Sequence, residues 1–332
     1  MPSLTLKSGV VFGYTDSGAV TGGDYTTLVI IHGHTFHSGT FQRLNPLAQP
    51  NSLRIISVNR REYPGSSPYS AQELTAFVEG TDAERASLLE QQGRDLAMFL
   101  DGLISGAVHT PNWWYCANRM VHGDFIQTLP TATQERLSSF VHTVVMLQSP
   151  SLALGIPIPS GWLIPHTDPN IAPESRGFAF AKWVSSYFIH GDLSSHDIDH
   201  LTYTNTDPSK SATIETLRPE DLFAMTDFAP AEKYDNIIGL PPFAGAVFKQ
   251  TNKALFDPTV RAAWSQTRFW TVYGSAEPWT IIYGAWFLED QSHEMNNPEL
   301  AIEFKVIDGG NHFLVWEDPE KAINELKECF ST

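Results

Sequence analysis

Short, mainly apolar runs recur along this chain, and each is followed by a polar or glycine-containing turn. They cover residues 28–31, 53–58, 141–147, 268–273 and 302–307. Runs of this length, bounded by turns, are typical of strands buried on both faces, as in a parallel sheet. A pair of short opening strands is also expected within residues 4–14, around a Ser-Gly turn. The pattern therefore predicts a sheet that draws strands from most of the chain.

Segments with helical periodicity alternate with these runs. Residues 83–104 place leucine and phenylalanine at helical spacing with charged residues between them, which predicts a helix packed on the sheet. Further helices are expected at residues 40–47 and 244–264, and a last one opens where the capping residue Asp318 precedes Pro319. Strands that alternate with helices predict the α/β class, with a mostly parallel central sheet flanked by helices.

The alternation stops between residues 151 and 239, where proline, serine, aspartate and aromatic residues mix. We call this range the cap segment, because we expect it to form a helical lid inserted into the core after the sixth strand. Short helices are expected within it at residues 178–188 and 219–225. The core then comprises residues 1–150 and 240–332, and the many aromatic residues of the cap segment would suit an apolar ligand.

Composition argues against several classes of function. The 332 residues carry a formal net charge of −16, whereas nucleic-acid phosphates and anionic membranes require basic patches on their partners. No apolar run approaches membrane-spanning length, and the first residues lack the apolar core of a secretion signal. We therefore expect a cytoplasmic protein that binds neither nucleic acid nor membrane. The two cysteines receive no chemical role, and the oligomeric state stays open.

Four landmarks follow the predicted strands in order. They are His32-Gly33, an Arg-x-x-x-Pro-Gly-x-Ser turn at 60–67, Gly-x-x-Glu at 274–277 and Asn-His-Phe at 311–313. Together they resemble the α/β-hydrolase superfamily over nearly the whole chain, in which a nucleophile, an acid and a histidine follow one another in this order. The resemblance implies the α/β-hydrolase fold of the cap-bearing, serine-hydrolase-like AB hydrolase-1 type, working without a cofactor.

The resemblance also implies roles for the residues at these landmarks. His312 would be the general base, because imidazole titrates in the range needed to take up and return a proton. Glu277 would orient His312 and stabilise its protonated form, with Asp308 as the alternative acid. His34 or Thr35 would donate one backbone N–H to an oxyanion hole.

The nucleophile is missing from its expected place. The superfamily would put Gly-x-Ser-x-Gly on a sharp strand-to-helix turn between residues 101 and 144, but residues 112–126 hold neither that motif nor any serine or threonine. Asp124 is the fallback, in the manner of the aspartate nucleophile of epoxide hydrolases and dehalogenases, although no glycine follows it to open the turn. Ser149 and Asp192 are more remote candidates.

The genetic code offers an explanation for the missing serine motif. Read one base out of frame from the Asn112 codon, residues 113–123 can encode Gly-Gly-Ile-Ala-Leu-Thr-Gly-Trp-Ser-Met-Gly, a strand that enters a nucleophile turn. Only the two glycines and the tryptophan are forced, and codon degeneracy permits the rest. We hypothesise an out-of-frame segment with residues also lost behind it, since 123–130 is too short for a helix of average length, about 11 to 12 residues. The alternative is a buried strand with a substituted turn, as in hydrolase-fold proteins that no longer hydrolyse.

The parent activity is then expected to be hydrolysis of a small apolar ester or lactone by a Ser-His-Glu triad, and this chain is expected to be inactive or nearly so. Two alternatives stay open: a non-hydrolytic enzyme, such as a lyase, isomerase or cofactor-free oxygenase, and a protein that only binds a small molecule. No metal is expected, because His196 and His200 have the spacing of two ligands on a helix but no evident third ligand.

Overall fold

The computed structural model describes residues 1–21, 24–106, 112–117, 123–239 and 241–330, with only the backbone considered for 112–117 and 123–125. Each apolar run that predicts a strand forms one in the structure. In chain order the strands are β1 (Ser3–Thr5), β2 (Val11–Asp16), β3 (Thr26–Ile31), β4 (Leu53–Val58), β5 (Asn112–Ala117), β6 (Val141–Leu147), β7 (Arg268–Gly274) and β8 (Glu303–Ile307). The fold class is therefore α/β, as the alternation predicts.

The longest α-helices, α3 and α12, lie outside the cap segment. The α-helices are α1 (Asn45–Ala48), α2 (Ala71–Glu79), α3 (Asp82–Ser105), α4 (Thr131–Phe140), α5 (Arg176–Val184), α6 (Thr213–Thr216), α7 (Pro219–Met225), α8 (Phe228–Pro230), α9 (Asn236–Ile238), α10 (Ala244–Phe256), α11 (Pro258–Ala262), α12 (Trp279–Met295), α13 (Leu314–Glu317) and α14 (Pro319–Glu328). Tighter 3-10 turns lie at Ser38–Leu44, Gln49–Asn51, Gly123–Thr128, Ser151–Leu154, Pro173–Ser175, Leu193–Ser195, Ile198–His200 and Pro298–Leu300, and a π-helical turn at Ala231–Asp235.

Two helix predictions need correction. The single helix expected at 244–264 is two helices, α10 and α11, because Pro258 has no N–H to continue the first and holds Asp257 in an extended conformation. The first helix, expected at 40–47, is mostly a 3-10 turn, Ser38–Leu44, that leads into α1. The pattern also missed α2, α4 and α12.

The strands are arranged in the order β1-β2-β4-β3-β5-β6-β7-β8. From β4 to β8 all neighbours are parallel, whereas β2 runs antiparallel to β4. The strands do not form one continuous ladder, because β2 pairs with β1 through Val11–Gly13 and with β4 through Tyr14–Asp16. The strictly parallel part therefore spans β4 to β8, and their carboxyl ends meet at one edge, where ligands gather in open α/β sheets.

Alternate residues of β3 pack into two different cores. Val29 and Ile31 join a cluster with Phe99 and other residues of α3, whereas Leu28 and Ile30 join a cluster with residues of α14. All four β3 residues are at most 2% exposed. A strand buried on both faces explains why this run carries no polar position between Leu28 and Ile31.

The cap segment supplies helices and turns between β6 and β7, with no named strand among its described residues. It contacts the first loop of the core through an isolated bridge between Phe36 and Thr226, and the Asp227 N–H donates to the Thr35 carbonyl at 2.9 Å. The division into core and cap stays a prediction. Among the helices that the structure describes, none combines the length and apolar character that a bilayer crossing requires.

Candidate active site

The loops after β7 and β8 bring an acid and a histidine together. His312 Nδ1 lies 3.2 Å from Glu277 Oε2, and the Glu277 side chain is fully buried whereas that of His312 is 17% exposed. Because the carboxylate can only accept, Nδ1 is the ring nitrogen that carries the proton of this contact when the imidazole is neutral. The other ring nitrogen, Nε2, is then an acceptor, which is the state a general base needs.

Close approach of two glycines sets this pair in place. A Cβ added to Gly274, the last residue of β7, would lie 2.0 Å from the Gly310 carbonyl oxygen, so only glycine fits there. The two loops are then joined by the Ala276 N–H, which donates to the Gly310 carbonyl at 3.0 Å. Glu277 is three residues after Gly274 and directly follows Ala276, and His312 is two residues after Gly310, so these contacts fix the backbone that carries both side chains.

Glu277 is surrounded by hydrogen-bond donors. Its Oε1 accepts from the Gly274 N–H at 2.6 Å, and the Gln148 side-chain amide, at the end of β6, also donates to it. Burial raises the pKa of Glu277, and the bonds from His312, Gly274 and Gln148 act in the opposite direction. Gln148 in turn donates to the Asn311 carbonyl at 3.0 Å, so that one side chain ties the acid to the histidine loop.

The predicted oxyanion loop follows β3. Thr35 has a positive φ of 66°, and its backbone N–H donates to the Tyr63 hydroxyl at 3.0 Å, so that N–H is already engaged. His34 and His312 both line an apolar cavity, which is described below. The Nε2 of His34 donates to Asn236 Oδ1 of the cap segment at 2.6 Å, and its Nδ1 accepts from the Thr35 hydroxyl at 2.7 Å. The His34 ring is thus held from both ends.

A second buried carboxylate, Asp235, belongs to a different network. Arg60 donates to both of its oxygens at 3.1 and 2.6 Å, and Tyr63 donates to Oδ2 at 2.7 Å. The side chains of Arg60 and Asp235 are almost fully buried. Burial lowers the pKa of Arg60, but the charge and hydrogen bonds of Asp235, together with nearby Tyr63, outweigh burial and raise it. The Arg60 N–H also donates to His32 Nε2 at 3.0 Å. The turn after β4 is thereby anchored to the cap segment.

A cavity lies between the cap segment and the loops that follow the strands. It contains about 900 Å³ of space free of protein atoms, part of it open to solvent. Its wall is mainly apolar and includes His34 and His312 from the core, with Phe36, Pro150, Leu152, Ala153, Ile164, His166, Phe180, Trp183, Val184, Thr280 and Ile281. A second, smaller cavity shares Gly33, His34, Phe36 and His312 with the first. A small apolar molecule placed here would lie against His312.

The edge of the sheet beside this cavity is also where β5 ends. This strand lies between β3 and β6 and runs parallel to both, with Ile31 paired to Ala117 and Val144 paired to Tyr115. The Gly-x-Ser-x-Gly turn of the out-of-frame reading falls on residues 119–123, of which 119–122 lie outside the described residues. The fallback Asp124 belongs to the 3-10 turn Gly123–Thr128, which is six residues long, and its side chain is not described.

Among the described residues, none of the remaining candidates has a hydrogen bond or ion pair with His312. Asp308 is exposed and faces Ser275, so the carboxylate in contact with the histidine is that of Glu277. Asp192 caps a turn by accepting from the Ser194 N–H at 3.0 Å. Ser149 is buried in the residues that follow β6, and no described hydrogen bond joins it to His312.

The two histidines considered as metal ligands do not share a helical face. His196 has a positive φ of 52° between two 3-10 turns and contacts Asp290 at 2.9 Å, and His200 contacts Ser195 at 2.8 Å. Within the described ranges, no group of three or more His, Cys, Asp or Glu side chains has an arrangement suited to a metal.

Sequence reasoning missed three residues that shape this site. Arg60 was visible only as part of the turn at 60–67, without a partner. Gln148 closes an apolar strand and carries no motif. His166, which stands on the cavity wall, is an isolated histidine in the irregular cap segment. Only Arg60 had a signal in the sequence, namely its place in an ordered landmark.

Comparison with known proteins bears on the fold. No protein-family model and no curated protein sequence match the chain. Solved structures that resemble it include α/β-hydrolases, among them carboxylesterases, an epoxide hydrolase and a bromoperoxidase. An aCif variant is 14% identical, matches 99% of this chain with 88% of its own and gives a TM-score of 0.52.

Two further structures match at similar identity. Cfl2 from Burkholderia cenocepacia is 14% identical over 99% of this chain and 94% of its own, with a TM-score of 0.49. A thermophilic esterase from Thermogutta terrifontis is 14% identical over 99% of this chain and 98% of its own, with a TM-score of 0.45. At such low identities the likeness shows the fold alone, and the chemistry has to be argued from the site.

Proposed function

We propose that this chain descends from a cofactor-free hydrolase of small apolar esters or lactones, and that it has lost the hydroxyl nucleophile of that reaction. The observation that carries the proposal is the contact between Glu277 and His312 on the wall of an apolar cavity, beside the end of β5. A His-carboxylate pair of this kind activates a hydroxyl placed at Nε2 of the imidazole.

In the parent reaction His312 would take the proton of a serine at the end of β5 and return it to the leaving alcohol. Glu277 would hold the imidazole through Nδ1 and stabilise its protonated form. The His34 N–H would be one donor to the developing oxyanion, and the N–H of the residue after the serine would be the other. The Thr35 N–H is less suited, because it already donates to Tyr63.

This chain, without the serine nucleophile, should turn over esters very slowly. Loss of a triad serine lowers turnover by on the order of 10⁶-fold, about 8 kcal/mol of transition-state stabilisation. Asp124 is proposed only as a minor substitute, in the manner of epoxide hydrolases, since it lies in a turn without a following glycine.

Sequencing the transcript across residues 110–130 tests the hypothesis of an out-of-frame segment, and an unbroken message that encodes Trp113 and Trp114 in frame would contradict it.

The decisive experiment restores the nucleophile turn. Residues 113–123 are replaced by Gly-Gly-Ile-Ala-Leu-Thr-Gly-Trp-Ser-Met-Gly, which includes Arg119→Gly and Val121→Ser, and both chains are assayed with a chromogenic short-chain ester. We expect turnover and labelling by a serine-directed phosphonate in the restored chain alone. Robust turnover by the original chain, blocked by the phosphonate, would overturn the proposal. The same restoration with His312→Ala is the matched control and should be inactive.

A second candidate is a protein that binds a small molecule without converting it. Its support is that the cavity, the Glu277–His312 pair and the anchored cap segment are all present in a chain without the serine motif. Substitution of His312 by Ala in the original chain separates this candidate from a non-hydrolytic enzyme that uses the His–acid pair. A binder keeps its ligand, whereas such an enzyme loses its activity.

A further inference from the structure

His166 is a polar residue on the cavity wall that the proposed mechanism does not use. It follows Ile164 and Pro165 in the cap segment and lines the same cavity as His34 and His312. Its ring stacks on Phe180 at 4.7 Å between centroids and lies 5.5 Å from the His34 ring. His166 is therefore next to the loop that would hold the reacting carbonyl.

The ring of His166 lacks hydrogen bonds within the described part of the chain. Its Nε2 is shut off from water and has no partner there. Buried polar atoms are nearly always paired, because an unpaired one loses its hydration without compensation. A flip of the imidazole exchanges the positions of nitrogen and carbon, so either nitrogen can turn toward a molecule in the cavity. With the ring flipped, a ligand in the cavity that His166 lines would be the partner of the ring nitrogen.

Charge narrows the kind of ligand. Burial lowers the pKa of His166 to about 4, and His34 and Arg176 contribute in the same direction, so the ring is neutral near pH 7. A neutral imidazole offers one donor and one acceptor. The only carboxylate on the described wall, Asp235, is paired with Arg60, and no lysine or arginine lines the described cavity. An ionised ligand would lose its hydration there without gaining a facing charge.

We propose that His166 selects the substrate class: an uncharged ester or lactone with an apolar body and a hydroxyl close to the reacting carbonyl, to which the imidazole of His166 hydrogen-bonds. This inference rests on the proposed function only for the position of the carbonyl. Its test measures binding to the original chain and needs no turnover, so that its failure is distinct from failure of the hydrolase proposal.

The experiment compares three ligands of equal chain length: methyl 2-hydroxyoctanoate, methyl octanoate and the 2-hydroxyoctanoate anion. Dissociation constants are measured with the full chain by tryptophan fluorescence, since Trp183 lines the cavity. We expect the hydroxy ester to bind most tightly, and His166→Phe to weaken it by about fivefold to tenfold, the effect of one hydrogen bond. Methyl octanoate should bind the variant unchanged, because phenylalanine keeps the stack on Phe180.

The matched control is His293→Phe, on the exposed end of α12, which should alter no dissociation constant. Equal weakening of both esters by His166→Phe would assign the ring a merely structural role, and tightest binding of the anion would contradict an uncharged ligand. Should the variant fail to fold, the His166 ring ¹⁵N resonances of the original chain are titrated with both esters. A shift with the hydroxy ester alone supports the proposal, and no shift overturns it.

Discussion

Two fully buried carboxylates lie close to the cavity, and they differ in their partners. Asp235 accepts two bonds from Arg60 and one from Tyr63, all groups that stay protonated at neutral pH. Glu277 accepts from a backbone N–H, from Gln148 and from His312, whose ring can gain and lose a proton. A permanent cation makes the first carboxylate an anchor for the cap segment, whereas a titratable partner makes the second suited to proton transfer.

The largest expected effect is on kcat, through the contact between Glu277 and His312. In the chain with the restored nucleophile turn, Glu277→Gln should lower kcat by about 10⁴-fold, because the amide no longer fixes the tautomer of His312 or stabilises its charge. Initial rates with the chromogenic ester measure this. Activity within tenfold of the restored chain would mean that Glu277 is no more than a buried structural group. Asp308→Asn in the same background is the control and should leave the rate unchanged.

The next largest effect is on the free energy of unfolding, through the buried pair of Arg60 and Asp235. Asp235→Ala leaves Arg60 buried without its partner and should lower the free energy of unfolding by about 3–5 kcal/mol. Urea unfolding, followed by circular dichroism, measures the loss. The control is Glu303→Ala, which breaks a more exposed pair with Arg268 and should cost less than about 1 kcal/mol. Equal losses in the two variants would show that burial of the Arg60 pair does not set it apart.

Tyr63 gives a smaller test of the same network. Its hydroxyl donates to Asp235 and accepts from the Thr35 N–H, so Tyr63→Phe leaves that buried N–H unpaired. We expect a loss of about 1–3 kcal/mol in the free energy of unfolding. Tyr203→Phe, which removes a partly buried hydroxyl bound to Asp168 at 3.1 Å, should cost less and serves as the control. A larger loss for Tyr203→Phe would reverse our ranking of the two hydroxyls.

The smallest effect is a change in pH dependence. The pKa of His166 is about 4 in the folded chain and near 6.5 when unfolded, so between these values the unfolded state binds more protons. Stability should therefore fall as the pH is lowered from about 6.5 toward 4. In His166→Phe the loss between pH 7 and 5 should be smaller by about 1 kcal/mol, discounted for the partial exposure of the ring. His32, His37 and His190 also have lowered pKa values and keep the same slope in both proteins. The free energy of unfolding is measured with urea at pH 7 and pH 5 for both proteins. Equal losses in the original chain and in His166→Phe would argue against a neutral, buried His166.

Local patterns in the sequence were enough to place most of the strands and the longest helix, α3, although they missed α12. The run at 141–147 is β6 and the helical pattern at 83–104 is α3 to within one residue at either end. Hydrophobic periodicity and helix caps are properties of neighbouring residues, which is why they can be read without the fold. The break between α10 and α11 has the same local origin, because Pro258 cannot continue α10 and opens α11.

The sequence by itself determined the α/β class, the ordered landmarks and the absence of a serine motif in residues 112–126. Only the tertiary structure decided that Glu277, not Asp308, contacts His312, and that Asp235 pairs with Arg60 across 175 positions of the chain. It also placed His166 beside Phe180 and His34. The reason is physical: periodicity records whether a side chain is buried, but the partner of a buried polar group is set by which loops the folded sheet brings together.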